Sequence, residues 1–263
     1  MPRGKKRAEP DEPATEQATK LRKAVDDGVA ELVCPITQEL PVDPVTAEDG
    51  RVYERKAMEE WLRSKAGQAV RSPVTNEPMG TKLFPAVQVR NNIKGMVKSG
   101  ALSGDKAEAW KKRIEEEEEV AEMRRRAEAG DAAAMDCLGC WYKLGEKGLA
   151  VDYAQAFEWY KRGADLDDPT CTVVLGLMYA LGEGTPRDDA EALVLVGQAA
   201  VLGSAHACYT FGFWYECGGL GLRKDPKQTA RWYSKLQACA VQDLTETMQA
   251  EVADWLREHP GLA

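Results

Sequence analysis

The sequence predicts a small α+β unit followed by an all-α solenoid of helix pairs, mainly helical overall. Three observations predict it. Residues 31–97 form an apolar segment punctuated by Pro and Gly, with the turn dipeptide Asp49-Gly50 between two short apolar runs. The stretch "GDKAEAWKKRIEEEEEVAEMRRRAEAG" that follows consists almost wholly of strong helix formers. Beyond Ala127 the chain repeats itself. Tyr142, Tyr179 and Tyr215 recur at steps of 37 and 36 residues, and Gly139, Gly176 and Gly212 keep those steps, as do Gly145, Gly182 and Gly218.

The elements follow in order. Residues 1–28 are rich in Pro, Glu, Ala and Lys with few large apolar groups, which predicts a disordered tail with a helical turn near Leu21 to Val25. Residues 29–99 form the first module. In it "PVTAEDGRVYE" predicts two short strands around Asp49-Gly50. "ERKAMEEWLRSK" places Ala57, Met58, Trp61 and Leu62 on one helical face. "SPVTNEPM" is a proline-braced loop, and "FPAVQVRNNIKGMV" closes the module with a helix carrying Val89, Ile93 and Met96. So small a core is marginal, and such domains commonly recruit metal or disulfides. Here the only cysteine is Cys34 and no histidine is present, whereas a structural zinc needs four ligands. No metal and no cofactor are expected.

Residues 100–126 predict a solvated connecting helix, supported by Lys111–Glu115, Lys112–Glu116 and Glu122–Arg126 pairs, with a thin apolar seam of Trp110, Ile114 and Ala121. Self-association through this helix is the alternative. Residues 127–240 hold three units of two helices each. The first helix of the first unit carries Leu138, Trp141, Tyr142 and Leu144 at helical spacing, and Gly145, Gly182 and Gly218 are placed to stop the first helices at positive φ. Asp152, Asp188 and Asp225 then precede the second helices, in which Trp159, Leu195 and Trp232 occupy matching places. One pair cannot bury its own apolar face; stacked pairs share a core. Residues 241–263 predict a closing helix. Asp243 and Glu246 form a capping box, and Leu244, Met248, Val252, Trp255 and Leu256 lie on one face.

Composition excludes some classes of function. A net charge of −8 argues against non-specific nucleic-acid binding, which needs a basic surface. The longest apolar runs are about half of what spans a bilayer, and the start of the chain lacks the apolar core of a secretory signal, so no membrane is expected. Seven cysteines without framework spacing suit a reducing compartment, hence a cytoplasmic or nuclear location. "GKKR" near the start is either a basic import signal or ordinary tail charge. Cys34 is expected as a buried small hydrophobe. Cys137 and Cys140 have a knuckle spacing but sit inside a repeat helix without a second ligand pair, so packing is expected of them too. His206 aligns with Ala133 and Thr170, which predicts a surface position without chemistry.

Spaced motifs in the first module carry a family resemblance. They are Cys34-Pro35-Ile36, Asp43-Pro44-Val45, Gly50, Tyr53-Glu54-Arg55, Trp61-Leu62, Ser72-Pro73-Val74-Thr75, Pro78 and Leu83-Phe84-Pro85. The segment resembles the U-box, a RING-like, zinc-free fold in which hydrogen bonds and salt bridges replace both metal ions. Glu39, Arg51, Arg71, Asn91 and Asn92 are the candidates for those ties. The resemblance implies a ubiquitin ligase that docks a conjugating enzyme charged with ubiquitin and orients its thioester, with no covalent intermediate of its own. It implies docking through Ile36, Trp61 and Pro73, expected as apolar groups exposed together; apart from the family, Trp61 would be taken for core. Asn76 stands where many active members carry an Arg or Lys that bridges conjugating enzyme and ubiquitin, and Ala86 stands where Asn usually follows Leu-x-Pro.

The repeats resemble the Sel-one-like family, relatives of tetratricopeptide repeats, through Leu-Gly-x-x-Tyr, the downstream Asp and Ala-x-x-Trp-Tyr. Departures are Leu195-Val196 in the second unit, and Phe211-Gly212 and Thr229 in the third. This resemblance implies a scaffold that holds a protein substrate or adaptor. Two functions remain open at this point: a ligase whose repeats select substrate, and a non-catalytic assembly scaffold.

Overall fold

The computed structural model describes residues 31–236 and 244–262, which fall into two compact units dividing between Glu115 and Glu116. The expected tail over 1–28, its helical turn and the expected cap Asp243 lie outside the described residues.

The first unit is built on β1 (Pro44–Ala47), β2 (Val52–Glu54) and β3 (Leu83–Pro85), an antiparallel sheet in the order β2-β1-β3. The expected hairpin forms: Val45 pairs with Tyr53 across a turn where Asp49 Oδ1 accepts from the Arg51 N–H at 3.0 Å. The third strand is not legible in the sequence. It is short and ends in Pro85, which an edge strand tolerates because one side needs no ladder donor. Helix α1 (Arg55–Ser64) buries Met58, and α2 (Val87–Ser99) buries Ile93 and stops at Gly100 with φ 75°.

Two apolar clusters fill this unit. One gathers Cys34, Val45, Ala47, Tyr53 and Met58. The other gathers Leu40, Val42, Ile93, Leu102, Ala107 and Trp110. The last two residues belong to α3 (Asp105–Glu128), so the segment expected as a connecting helix over 100–126 supplies part of the first unit's core. Trp110 also donates its indole N–H to the Pro41 carbonyl at 3.0 Å. The expected seam is corrected as well. Ala121 is exposed, while Val120 and Ala127 are buried with Leu138 and Trp141 in the second unit.

The second unit stacks α4 (Ala132–Leu144), α5 (Tyr153–Ala164), α6 (Pro169–Leu181), α7 (Asp189–Val201), α8 (Ala205–Cys217) and α9 (Pro226–Leu236), then α10 (Glu246–Glu258). The repeated residues have repeated causes. Gly145, Gly182 and Gly218 end the first helices at φ 73°, 73° and 76°. The N–H groups of Asp152, Asp188 and Asp225 return to the carbonyls of Tyr142, Tyr179 and Tyr215 at 2.8, 3.0 and 3.0 Å, closing each loop. The same aspartates cap the next helices, Asp152 accepting from the Gln155 N–H and Asp188 from the Glu191 N–H.

The register glycines let paired helices touch. A Cβ on Gly139 would lie 2.7 Å from the Tyr160 ring, and one on Gly212 would lie 2.1 Å from the Tyr233 ring. Tyr233 is buried and donates its hydroxyl to Glu216, so it has no free path of retreat. Gly212→Ala is therefore expected to cost about 2 kcal/mol through overpacking, read as a lower midpoint of the second unit's urea transition. The Leu195-Val196 departure is absorbed: Leu195 packs with Phe157 and Tyr160, and Val196 with Phe211 and Trp214.

Two expectations for this unit change. Leu144 is 57% exposed although it keeps helical spacing, because it is the last residue before the glycine cap. The closing helix is capped by Thr245, whose hydroxyl accepts from the Met248 N–H at 3.3 Å, so the helix begins at Glu246. Its apolar face is as expected, with Leu244 and Val252 buried and Met248, Trp255 and Leu256 packed against them.

Candidate functional site

The candidate surface is assembled from two loops and α1. In the first loop the Cys34 N–H donates to the Glu39 carbonyl and the Gln38 N–H to the Cys34 carbonyl, both at 2.8 Å. This tight turn, with Gln38 at φ 60°, buries Cys34 and carries Ile36. Ile36 is half-buried and packs on the cluster of Cys34, Val45, Tyr53 and Met58; Trp61 from α1 packs on the same cluster.

The second loop is bound to that helix. The Trp61 indole N–H donates to the Arg71 carbonyl at 3.2 Å, and the Lys65 ammonium sits 4.7 Å from the Trp61 ring centre. Ser72 organises the loop. Its hydroxyl donates to Asp49 Oδ2 at 2.6 Å and accepts from the Val74 and Thr75 N–H groups, both at 3.1 Å. The Asn76 N–H closes the turn onto the Ser72 carbonyl at 3.0 Å, and Arg71 donates to the Asn76 carbonyl at 2.9 Å. Pro73 thereby follows a buried, fully engaged serine and is half-buried, while Val74 is 43% exposed. Asn76 is exposed at φ 59°, in the left-handed region that asparagine tolerates better than most residues.

The expectation that Ile36, Trp61 and Pro73 would be bare together is therefore modified. Each is half-buried, Ile36 and Trp61 because they also pack on the cluster beneath the loop and helix that present them. Ile36 and Trp61 share one supporting cluster, and Trp61 is tied to the strand of chain leading into Pro73.

The polar ties differ from those expected. Asp49 and Ser72 join the hairpin to the second loop, and Tyr53 donates its hydroxyl to Asp49 Oδ2 at 2.7 Å. Burial pushes the Asp49 carboxyl up, but hydrogen bonds from Ser72, Tyr53 and the Arg51 N–H outweigh it and hold the group below its ordinary range. Burial, followed by donation to Asp49, pushes the Tyr53 phenol up. The other tie is Glu54, only 6% exposed, which accepts from the Val42 N–H at 2.8 Å, the Asp43 N–H at 3.2 Å and Arg113 at 2.6 Å. Of the expected candidates, Glu39 pairs with Arg113 at 3.0 Å and Arg71 braces its own loop. Arg51 contributes its backbone N–H to Asp49, and Asn91 and Asn92 are exposed on α2. Asp49 had a sequence signal only as a turn former, and Arg113 had none.

Among the described residues no His, Cys, Asp and Glu cluster could hold a metal ion. In the second unit burial pushes the Cys137 and Cys140 thiols up, which disfavours thiolate and any nucleophilic or ligating use.

Residues 30–100 match the U-box domain, and residues 132–168, 173–204 and 205–236 match the Sel1 repeat. The chain is 29% identical over 82 residues to U-box domain-containing protein 43 of Arabidopsis thaliana, a match covering 30% of this chain and 10% of that protein. It is 46% identical over 55 residues to the putative E3 ubiquitin-protein ligase LIN-1 of Lotus japonicus, covering 21% of this chain and 4% of that one. The chain thus spans 10% or less of these curated relatives. Among solved structures, a Sel1 repeat protein from Oxalobacter formigenes is 31% identical with a TM-score of 0.42, covering 52% of this chain and 98% of that one.

Proposed function

We propose that this chain, which carries a U-box domain over residues 30–100 and three Sel1 repeats between residues 132 and 236, is a ubiquitin-protein ligase of the cytoplasm or nucleus. The observation that carries this reading is the presentation of Ile36 and Trp61 on one buried cluster, with the Trp61 indole tethering the loop that bears Pro73. A ubiquitin-conjugating enzyme docks there, and the chain acts by holding the enzyme's ubiquitin thioester in a reactive geometry. Orientation of this kind is worth about 7–11 kcal/mol in favourable cases. No residue of this chain carries the ubiquitin as a covalent intermediate of the transfer. The repeats hold the protein substrate or an adaptor, and the similarity to a protein named as a putative E3 ubiquitin-protein ligase supports the ligase reading.

The direct test mixes the full chain with ubiquitin, activating enzyme, ATP and a panel of conjugating enzymes, and follows ubiquitin conjugation to the chain itself. Conjugates with at least one conjugating enzyme are expected; none with any would leave the assembly-scaffold reading.

Asn76 sharpens that test, because its short neutral amide cannot make the multi-donor contacts of a guanidinium. Asn76→Arg is expected to raise the rate of ubiquitin discharge with little change in conjugating-enzyme affinity. The left-handed backbone at φ 59° exacts about 1 kcal/mol of stability from arginine, so the first unit should melt a few degrees lower. Unchanged discharge in a folded variant would show that Asn76 does not limit the reaction.

A further inference from the structure

The strand and helix that close the first unit carry charge of one sign. Residues 78–104 contain Lys82, Arg90, Lys94 and Lys98 and no Asp or Glu, a local charge of +4. The whole chain is −8, so the remainder sums to −8 − 4 = −12. The same stretch holds two strongly exposed apolar side chains, Phe84 at 55% and Val87 at 60%.

Strand register gives this surface a definite side. Phe84 lies opposite Thr46, which lies opposite Val52. Side chains alternate along a strand, so this row points away from Val45 and Tyr53, which are buried in the cluster that supports Ile36 and Trp61. On α2, Val87, Lys94 and Lys98 follow at i, i+7 and i+11, along one face, and all three are exposed. Eleven residues of helix extend it by roughly 16 Å, which about five residues of extended peptide would cover.

We propose that this face binds an acidic peptide segment of a partner protein, with a bulky apolar side chain on Phe84 and Val87 and carboxylates along Lys94, Lys98 and Lys82. Charge decides the class of partner. A membrane or a polynucleotide presents negative charge well beyond the screening length of about 8 Å and must face the acidic remainder of the chain. A short acidic segment touches the basic face alone. Because Phe84 is turned away from the Ile36 and Trp61 cluster and none of the basic residues belongs to it, the proposal does not rest on the ubiquitin reading, and its test contains no ubiquitin.

The test is fluorescence anisotropy of a labelled synthetic peptide of glutamate and leucine with the full chain. Binding that weakens with added salt is expected. The Lys94→Gln/Lys98→Gln double variant and Phe84→Ser should each raise the Kd about tenfold or more. Lys161→Gln, an exposed charge on α5, should leave it unchanged. All the altered side chains are exposed, so circular dichroism should show every variant folded. No binding of the peptide, equal binding by folded face variants, or tighter binding of anionic vesicles or an RNA oligomer at the same salt would overturn the proposal.

Discussion

Arg113→Ala is expected to lower the stability of the first unit by about 3 kcal/mol. Glu54 is 6% exposed, and its Oε2 carries both the Val42 N–H at 2.8 Å and the Arg113 guanidinium at 2.6 Å. Removing the guanidinium leaves a buried carboxylate without its countercharge, a change that costs about 3–5 kcal/mol where the pair is fully buried. The lower end applies here, because Arg113 keeps 31% of its side-chain exposure and two backbone donors remain on Glu54. Arg113 also holds Glu39 at 3.0 Å and the Leu40 carbonyl at 3.1 Å, so one side chain bridges three points of the loop region. Lysine has no planar fork to span them, and Arg113→Lys should recover only part of the loss. The measurement is a urea titration of the full chain, following the first unit's transition separately from that of the repeats, since two units need not unfold together. A loss under about 0.5 kcal/mol, the scale of an ordinary surface substitution, would mean the two backbone N–H groups satisfy Glu54 unaided.

Ile36→Ala and Trp61→Ala should each weaken conjugating-enzyme binding by about 2 kcal/mol, as expected of a central contact. That is roughly a thirtyfold rise in Kd. The two variants differ in what else they disturb. Trp61→Ala also removes the hydrogen bond to the Arg71 carbonyl and so loosens the second loop. Trp61→Phe separates the effects, since it keeps most of the packing and lacks only the donor. Ile36→Ala leaves that tether intact and is the cleaner probe of contact. If both alanine variants remain folded by circular dichroism and bind as well as the parent, the ligase reading fails and the scaffold reading replaces it.

How much of this could be read from the chain depended on sequence distance. The Asp49-Gly50 hairpin, the α1 face of Met58 and Trp61 and the recurrence of Gly139, Gly176 and Gly212 all come from patterns shorter than one element or repeated in register. β3 has no local signature, because three residues ending in proline carry no alternation and its partner β1 lies far back in the chain. The capping box expected of Asp243 and Glu246 reaches outside the described residues, and the described helix starts on Thr245, whose hydroxyl accepts from the Met248 N–H. Ala121 kept helical spacing with Trp110 and Ile114, but α3 changes its packing partners along its length. Trp110 is buried with Leu40 and Ile93, whereas Val120 and Ala127 are buried with Leu138 and Trp141.

By itself, then, the sequence determined an α+β module without a metal-ligand set, three helix pairs with glycine-capped loops and a closing amphipathic helix. These are set by local backbone preference and by the period of apolar residues, which act over a few positions. Only the tertiary structure decided that Arg113 neutralises Glu54 across 59 residues, that Ser72 reaches Asp49 across 23, and that Ile36 and Trp61 rest on one cluster. A buried charge must find a partner, but nothing local to Glu54 specifies which of the chain's 35 Lys and Arg side chains arrives. That choice is made by packing, once Trp110 and Ala107 have docked their helix against Leu40 and Ile93.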